Sequence, residues 1–384
     1  MIKTKIAFIG SRGIPPKYGG AETFVYEISE RLKKYFDLYI SCESDHFGLD
    51  ELDGIKRVHI WAKHTPTITI PVIYDIIATL YLLRKVRDVK ILYYVAPDGA
   101  IAAVLARFAR RKTIVNTDGI EWKRLLIRMK FAPLYLKPLY VLATSALFIS
   151  EFLACKVPDV TIADSITIKK YLERRWRPKK VEYIAYGVRR LPEINEERQL
   201  EVLKRFRLER HGYYLTIGRI VAENNIHVEI EAFKKVKPES KLVIVGPIDP
   251  RDPYVKHLLR VMRRDSKVMF IGGIYDLETL YALRANCRAY IHPYTVGGTN
   301  PSLLEQLQFD RPIIAYDTPF HREILGEKGF YFTTVNELIK ILEAIELEVN
   351  TINYSENLVI FSWNFIVKKY NRIFKTILDK FSIS

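Results

Sequence analysis

Cysteine is scarce: Cys42, Cys155 and Cys287 are the only three in 384 residues, widely spaced, with no CxxC pair and no histidine cluster at ligand spacing. An odd, scattered set excludes a disulfide framework and argues against structural zinc. Long apolar runs are missing as well. The most apolar stretch, Pro138 to Ser150, holds thirteen uncharged residues, short of the roughly 20 that cross a bilayer. Neither the GxGxxG dinucleotide turn nor the GxxxxGK[ST] phosphate loop occurs, so neither fingerprint applies. The opening Met1-Ile2-Lys3-Thr4-Lys5 runs directly into a short apolar segment rather than a signal-peptide core. The expected location is the cytoplasm, peripheral to the inner face of the membrane.

What is present reads as globular protein. The chain is 49% hydrophobic, 12% aromatic and 27% charged, too apolar for disorder. Its length exceeds the roughly 250–300 residues that one core supports, so two domains are expected. Charge is uneven: residues 1–190 carry 33 basic and 19 acidic side chains, a net +14, and 191–384 carry 27 and 25, a net +2. A cationic half attracts polyanions, either nucleic acid or an anionic bilayer.

Short β-rich runs alternate with amphipathic segments along nearly the whole chain, which predicts an α/β protein of parallel βαβ units. Strands are expected at Ile6–Ile9, Leu38–Ser41, Val58–Trp61, Ile91–Val95, Thr113–Asn116, Val160–Ala163 and Val181–Ile184. Residues 188–211 are charged, carry no strand-like run and read as a linker. The alternation resumes at Tyr213–Ile217, Leu242–Val245, Val268–Ile271, Ala289–His292, Ile313–Ala315 and Phe330–Phe332. Two doubly wound, Rossmann-like domains facing a cleft follow, each suited to bind at the carboxyl ends of its strands. The boundaries are 1–190 with the closing helix 361–384 on the acceptor side, and 191–360 on the donor side.

Three segments could carry chemistry. After the first strand, Gly10-Ser11-Arg12-Gly13-Ile14-Pro15-Pro16-Lys17-Tyr18-Gly19-Gly20 leads into a helix at Ala21-Glu22-Thr23. The paired Gly19 and Gly20 allow close backbone approach, and the helix start offers unpaired N–H groups to an anion. Gly218-Arg219-Ile220 ends the second half's first strand, where a guanidinium suits a diphosphate. His292-Pro293-Tyr294-Thr295-Val296-Gly297-Gly298-Thr299-Asn300-Pro301-Ser302-Leu303-Leu304-Glu305 combines a strand end, a Gly-Gly turn, a capping Thr299 or Asn300 and a proline at the first helical position. That predicts a phosphate cradle, with Glu305 one turn inside the helix and able to accept from ribose hydroxyls.

The pairing of Gly218-Arg219-Ile220 with a loop-helix ending in Glu305 resembles the retaining glycosyltransferases of family 4, which have the GT-B fold. The first-half segment Gly10–Thr23 and Asn116-Thr117-Asp118-Gly119-Ile120-Glu121-Trp122-Lys123-Arg124 are similar to a subgroup that includes bacterial rhamnosyltransferases of surface polysaccharide synthesis. The similarity runs through the tail, where Phe361-Ser362-Trp363 is followed by Tyr370. The resemblance implies that Gly19 and Gly20 lie by the donor phosphates or sugar, Arg219 on the diphosphate and Glu305 on the ribose. It implies Gly218, Gly297, Gly298, Thr299 and Asn300 as further donor contacts, Asp118 and Glu121 as polar groups near the reacting sugar, and retention of configuration. Glu305→Ala is expected to remove activity and leave the fold intact.

Two positions depart from the family pattern. Asn224 stands where many members carry a lysine that neutralises the leaving diphosphate, and Gly297 replaces the first of two glutamates eight positions apart. Altered sugar preference is the expected result. No Asp-x-Asp occurs, which argues against the metal-dependent type of transferase, so no metal or cofactor is expected beyond the nucleoside-diphosphate sugar. The run Trp122-Lys123-Arg124-Leu125-Leu126-Ile127-Arg128-Met129-Lys130-Phe131 alternates cations with apolar groups. It fits a bilayer interface, or equally a helix packed on the protein with its cations in water. Arg12, Glu121, Trp122, Lys123 and Arg124 are accordingly expected on the acceptor or membrane side, facing a saccharide or polyprenyl-linked acceptor. A nucleotide-sugar epimerase of the same architecture and a non-enzymatic polyanion binder are the competing readings; no nucleic-acid motif is present.

Overall fold

A computed structural model describes residues 3–16, 20–62, 70–236, 238–262, 267–348 and 351–379. It divides into two compact units. The first comprises residues 1–122, 144–187 and 361–384, and the second residues 123–143 and 188–360.

The first unit is built on an eight-stranded sheet: β1 Lys5–Ile9, β2 Asp37–Ser44, β3 Gly48–Leu52, β4 Ile55–Trp61, β5 Ile91–Tyr94, β6 Lys112–Thr117, β7 Val160–Ala163 and β8 Val181–Tyr183. Their order is β3-β4-β2-β1-β5-β6-β7-β8. All neighbours are parallel except β3, which returns antiparallel on β4. That strand escapes the sequence reading because Gly48-Leu49-Asp50-Glu51-Leu52 is a polar edge with only two apolar residues. The central strands are buried on both faces and consequently read as continuous apolar runs. Across this sheet lies the helix Trp363–Asp379, which buries Trp363, Ile366, Val367, Tyr370, Ile373, Phe374 and Ile377 at helical spacing. Tyr370 bonds the Tyr93 hydroxyl at 3.1 Å. Gly187 leaves room for the Trp363 indole, which a Cβ there would approach to 2.3 Å.

The second unit has β9 Tyr213–Ile217, β10 Lys241–Val245, β11 Val268–Phe270, β12 Ala289–His292, β13 Ile313–Tyr316 and β14 Phe330–Phe332. All are parallel, in the order β11-β10-β9-β12-β13-β14. The chain winds outward in both directions from the β9–β12 pair. That pair is the topological switch point, where crossover helices leave on opposite faces and a crevice opens beyond the carboxyl ends.

Residues 123–143, placed in the first domain by sequence, group with the second unit. Ile127 and Phe131, from the helix Glu121–Phe131, pack on its core cluster. The thirteen-residue apolar run also proves to be part of something longer. It lies in the helix Lys137–Lys156. Counted from Leu134 to Lys156, this segment is long and apolar enough to cross a membrane, with 22% of its apolar window buried. Its one acidic residue, Glu151, is buried and accepts from Tyr171 Oη at 2.7 Å and Trp176 Nε1 at 2.6 Å.

Candidate functional site

At the switch point of the second unit, the Ile217 carbonyl at the end of β9 accepts from three side chains. Ser302 Oγ lies at 2.9 Å, Tyr294 Oη at 3.1 Å and Tyr290 Oη at 3.3 Å. The Gly218-Arg219 turn and the loop that follows β12 are therefore clamped together. Gly218 is required there, because a Cβ would fall 1.5 Å from Tyr294 Oη. The Arg219 side chain is exposed.

The helix after β12 differs from the expected anion cradle. It covers only Pro301–Gln306, under two turns. Pro301 has no N–H, Ser302 N–H is capped by Asn300 Oδ1 at 2.9 Å, and Leu304 N–H bonds Asn300 O at 3.1 Å. What remains for an anion is the turn of Gly297 to Asn300, in which Gly298 and Thr299 are buried. Behind it sits Arg284, fully buried and absent from the sequence reading. Its guanidinium donates to Ser302 O at 3.1 Å, Ser302 Oγ at 3.0 Å, Gln306 Oε1 at 3.2 Å and Glu305 Oε2 at 2.9 Å. Glu305 Oε1 meanwhile takes Arg189 Nε at 2.9 Å and Nη2 at 2.7 Å. The carboxylate expected on a ribose thus holds two guanidiniums. Removing it would strand a buried cation, so the expectation that Glu305→Ala spares the fold is corrected.

Asn224 also has a definite structural use. Its Nδ2 donates to Arg219 O at 2.7 Å and fixes the turn that carries the arginine. Next to it, the Glu223 carbonyl accepts from Thr295 N at 3.1 Å and Thr295 Oγ1 at 3.0 Å. The buried Glu223 carboxylate binds Arg128 through Nε, at 2.9 Å to Oε2, and through Nη2. Arg128 belongs to the helix Glu121–Phe131, whose Phe131 ring stands 4.9 Å from Tyr254, 5.6 Å from His257 and 5.8 Å from His227. Ile127 and Phe131 of this helix therefore pack on protein, in line with the second of the two alternatives open for Trp122–Phe131. Arg124 Nη2 lies 3.7 Å from a Cβ built on Gly297. Lys123 is exposed.

In the first unit, residues 17–19, Gly19 among them, lie outside the described residues, and Gly20 is the exposed first residue of the helix Gly20–Leu32. Arg12 pairs with Glu43 at 3.0 Å and lies over the Tyr74 ring. Asp118 accepts from Tyr186 Oη at 3.1 Å. Glu121 opens its helix, and Trp122 stacks edge-on against Phe148. Two carboxyls missed in the sequence join this neighbourhood. Burial and the nearby Asp118 charge push Asp98 up to about 6, and burial raises Asp75 well above the usual carboxylate range, with the Asp98 charge adding and Arg12 opposing. Both Oδ1 atoms are buried without a hydrogen-bond partner. Asp98 follows β5 in Val95-Ala96-Pro97-Asp98-Gly99, a polar group at a strand's carboxyl end, and that signal could have found it. A cavity of about 510 Å³ lies elsewhere, against the start of β1 and β4 at Lys5, Tyr39 and Lys56. Among the described residues no three His, Cys, Asp or Glu side chains cluster to hold a metal ion.

Two family profiles match the chain: a domain of unknown function (DUF1972) over residues 3–189, and glycosyl transferases group 1 over residues 201–356. Among curated proteins, the O-antigen chain mannosyltransferase B of Escherichia coli is 25% identical over 134 residues, 34% of this chain and 35% of the relative; the match spans about a third of that relative's length. Among solved structures, sucrose-phosphate synthase from Thermosynechococcus elongatus superposes with a TM-score of 0.81 at 15% identity, covering 98% of this chain and 100% of that one. HepE from Anabaena, solved with UDP-glucose, gives 0.72 at 15% identity, covering 97% and 99%. The chain thus has the GT-B fold, with two Rossmann-like domains, and residues 201–356 are a glycosyltransferase group 1 domain.

Proposed function

We propose that the chain is a metal-independent, retaining transferase. It moves a hexose or deoxyhexose, with rhamnose a candidate, from a nucleoside-diphosphate sugar to a saccharide or polyprenyl-linked acceptor in surface polysaccharide synthesis. The observation that carries this is the clamp at Ile217, which joins the Arg219 turn to the Gly297–Asn300 turn at the β9–β12 switch point. Breaking a sugar–phosphate bond leaves negative charge on the nucleotide while positive charge develops at the anomeric carbon. Preorganised donors on the leaving diphosphate are usually the largest catalytic term. An exposed arginine and a Gly-rich backbone turn supply such donors without a metal. The UDP-glucose bound to HepE and the O-antigen product of the Escherichia coli relative support the donor class and the polysaccharide setting.

Turnover of a panel of nucleotide sugars with a polyprenyl-diphosphate-linked saccharide tests this reading. Donor consumption with an anomerically retained product, lost in Arg219→Ala and unaffected by a chelator, is expected. An epimer formed from donor alone would assign the site to the competing reaction, and full activity of Arg219→Ala would reject the assignment.

We further infer that the enzyme approaches its acceptor at an anionic bilayer, through the helix Lys137–Lys156 rather than the helix before it. Leu134, Tyr135, Leu139, Leu142, Ile149 and Phe152 are exposed along this segment at helical spacing. Residues 123–156 carry six Lys or Arg against one acidic residue, the buried Glu151. An apolar stripe flanked by cations is the composition of an interfacial helix. Co-sedimentation with phosphatidylglycerol-containing vesicles, lost in Leu142→Glu/Ile149→Glu, is the expected outcome. Binding that survives the double variant would remove this part.

A further inference from the structure

The excess charge of residues 1–190, a net +14, is not spread evenly, and the strand register of the first unit gathers much of it at one edge. The segment Arg107-Phe108-Ala109-Arg110-Arg111-Lys112 holds four cations and Arg174-Arg175-Trp176-Arg177-Pro178-Lys179-Lys180 holds five; neither contains an acidic residue. The first closes the helix Ala100–Phe108 and starts β6, and the second closes the helix Ile166–Trp176 and leads into β8. Between these strands lies β7, parallel to both. Asp159 N donates to Thr113 O at 2.9 Å and Thr161 N to Lys180 O at 2.9 Å, so the three strand starts are level. Lys156 joins them from the end of the helix Lys137–Lys156, its Nζ donating to Arg177 O at 3.3 Å. Asp159 offsets part of the charge, with Arg107 at 3.2 Å and Lys112 at 3.4 Å.

Some of these cations have a local use, because positive charge in the last turn of a helix offsets its dipole. Arg107, Lys156, Arg174 and Arg175 occupy such turns. Arg110 and Arg177 do not. Each follows a helix end in the left-handed region, with φ of 56° and 47°, where glycine is the usual residue and a side chain is disfavoured. Two arginines thus stand where backbone geometry alone would select glycine. Phe108 lies among the same cations with 83% of its surface in water. On the helix that Lys156 closes, Ile149 and Phe152 are exposed, Phe152 one turn before the lysine. A soluble polyanion requires cations only; cations beside exposed apolar side chains suit acidic headgroups above acyl chains. This edge lies at the opposite end of the strands from Asp98 and Asp118, so a surface seated on it leaves those groups uncovered. Resting on the reading under Proposed function for its membrane setting, we propose that the amino-terminal edge of β6, β7 and β8 is a second bilayer contact. Its cations bind the phosphates of anionic phospholipids, and Phe108 inserts beneath them.

Co-sedimentation of the full chain with vesicles of mixed phosphatidylglycerol and phosphatidylcholine, and with pure phosphatidylcholine, tests this. Arg110→Gly/Arg177→Gly removes two charges and relieves two left-handed side chains, so its melting temperature should equal or exceed that of wild type. Its partition onto mixed vesicles should fall about 10- to 30-fold, the scale of two cations lost from an anionic surface. At about 0.5 M salt, where surface charge is screened, the difference should shrink to under about three-fold. On pure phosphatidylcholine the variant should match wild type. Phe108→Ala should weaken binding to mixed vesicles about 10-fold. Unchanged partition of the glycine double variant, with Leu142→Glu/Ile149→Glu still losing it, would overturn the proposal and leave the helix contact standing. A wild type that does not sediment with mixed vesicles would sink both. Tighter binding of single-stranded RNA than of vesicles, insensitive to Phe108→Ala, would assign the edge to a soluble polyanion and overturn the proposal. If the glycine double variant does not fold, Lys179→Gln/Lys180→Gln in the loop before β8 gives the same comparison.

Discussion

Placing a methyl group on Gly218 tests whether the two donor turns are clamped as described. A Cβ there would lie 1.5 Å from Tyr294 Oη, where ordinary contact begins at 3.4 Å, so the hydroxyl must retreat by about 2 Å. Tyr294 is buried, and its hydroxyl bonds Ile217 O at 3.1 Å. The retreat breaks that bond, worth about 1 kcal/mol, and overpacks a filled site at about 1–3 kcal/mol. Gly218→Ala should therefore destabilise by roughly 2–4 kcal/mol and lower the melting temperature of the second unit by about 4–16 °C. Tyr294→Phe alone should cost under about 1 kcal/mol, because Ile217 O keeps Ser302 and Tyr290 as donors. Combined with Gly218→Ala it removes the clashing oxygen, leaving the ring carbon at 2.8 Å. The double variant should then be more stable than Gly218→Ala by about 1–2 kcal/mol, a coupling measurable in a denaturant cycle. Strictly additive losses would refute the clamp.

Two further outcomes follow from buried charges. Burial pushes Glu229 up to about 8 against the Thr216 hydroxyl bond, which opposes the rise. The native state therefore keeps a proton that the unfolded chain gives up above about 4.5, and stability falls as pH rises from 4.5 to 8. The full penalty is of order 5 kcal/mol. The melting temperature of Glu229→Gln should gain on wild type steadily between pH 5 and pH 8, and a difference independent of pH would contradict this. At Glu305, Ala should cost about 3–5 kcal/mol by leaving Arg284 buried without its carboxylate. Glu305→Gln should cost less, because its amide oxygen can still accept, and thermal melts of the two variants side by side decide it.

Much of the architecture was legible because it is local. Central strands such as Ile6–Ile9 and Leu242–Val245 announce themselves by continuous apolar runs, and Gly218-Arg219 and the Gly297–Asn300 turn were found as strand ends followed by turn residues. The loss occurred where identity depends on distant partners. Glu305 was visible as a helix carboxylate, yet Arg189 and Arg284, which hold it, lie 116 and 21 residues away. The amphipathic pattern of Glu121–Phe131 told that one face is apolar; it could not tell which core that face meets. The polar edge strand Gly48–Leu52 was hidden because its charged residues sit in regular structure, Asp50 paired across the edge to Arg57. The helix around Glu151 was expected at Leu134–Ala154 and is found at Lys137–Lys156.

The account stands or falls on where the nucleotide sits, and a structure determined with a nucleoside diphosphate bound addresses that directly. The phosphates should lie between the Arg219 side chain and the backbone of Gly297 to Asn300, beyond the carboxyl ends of β9 and β12. A nucleotide seated instead beside Arg12, Asp98 and Asp118 in the first unit would contradict it.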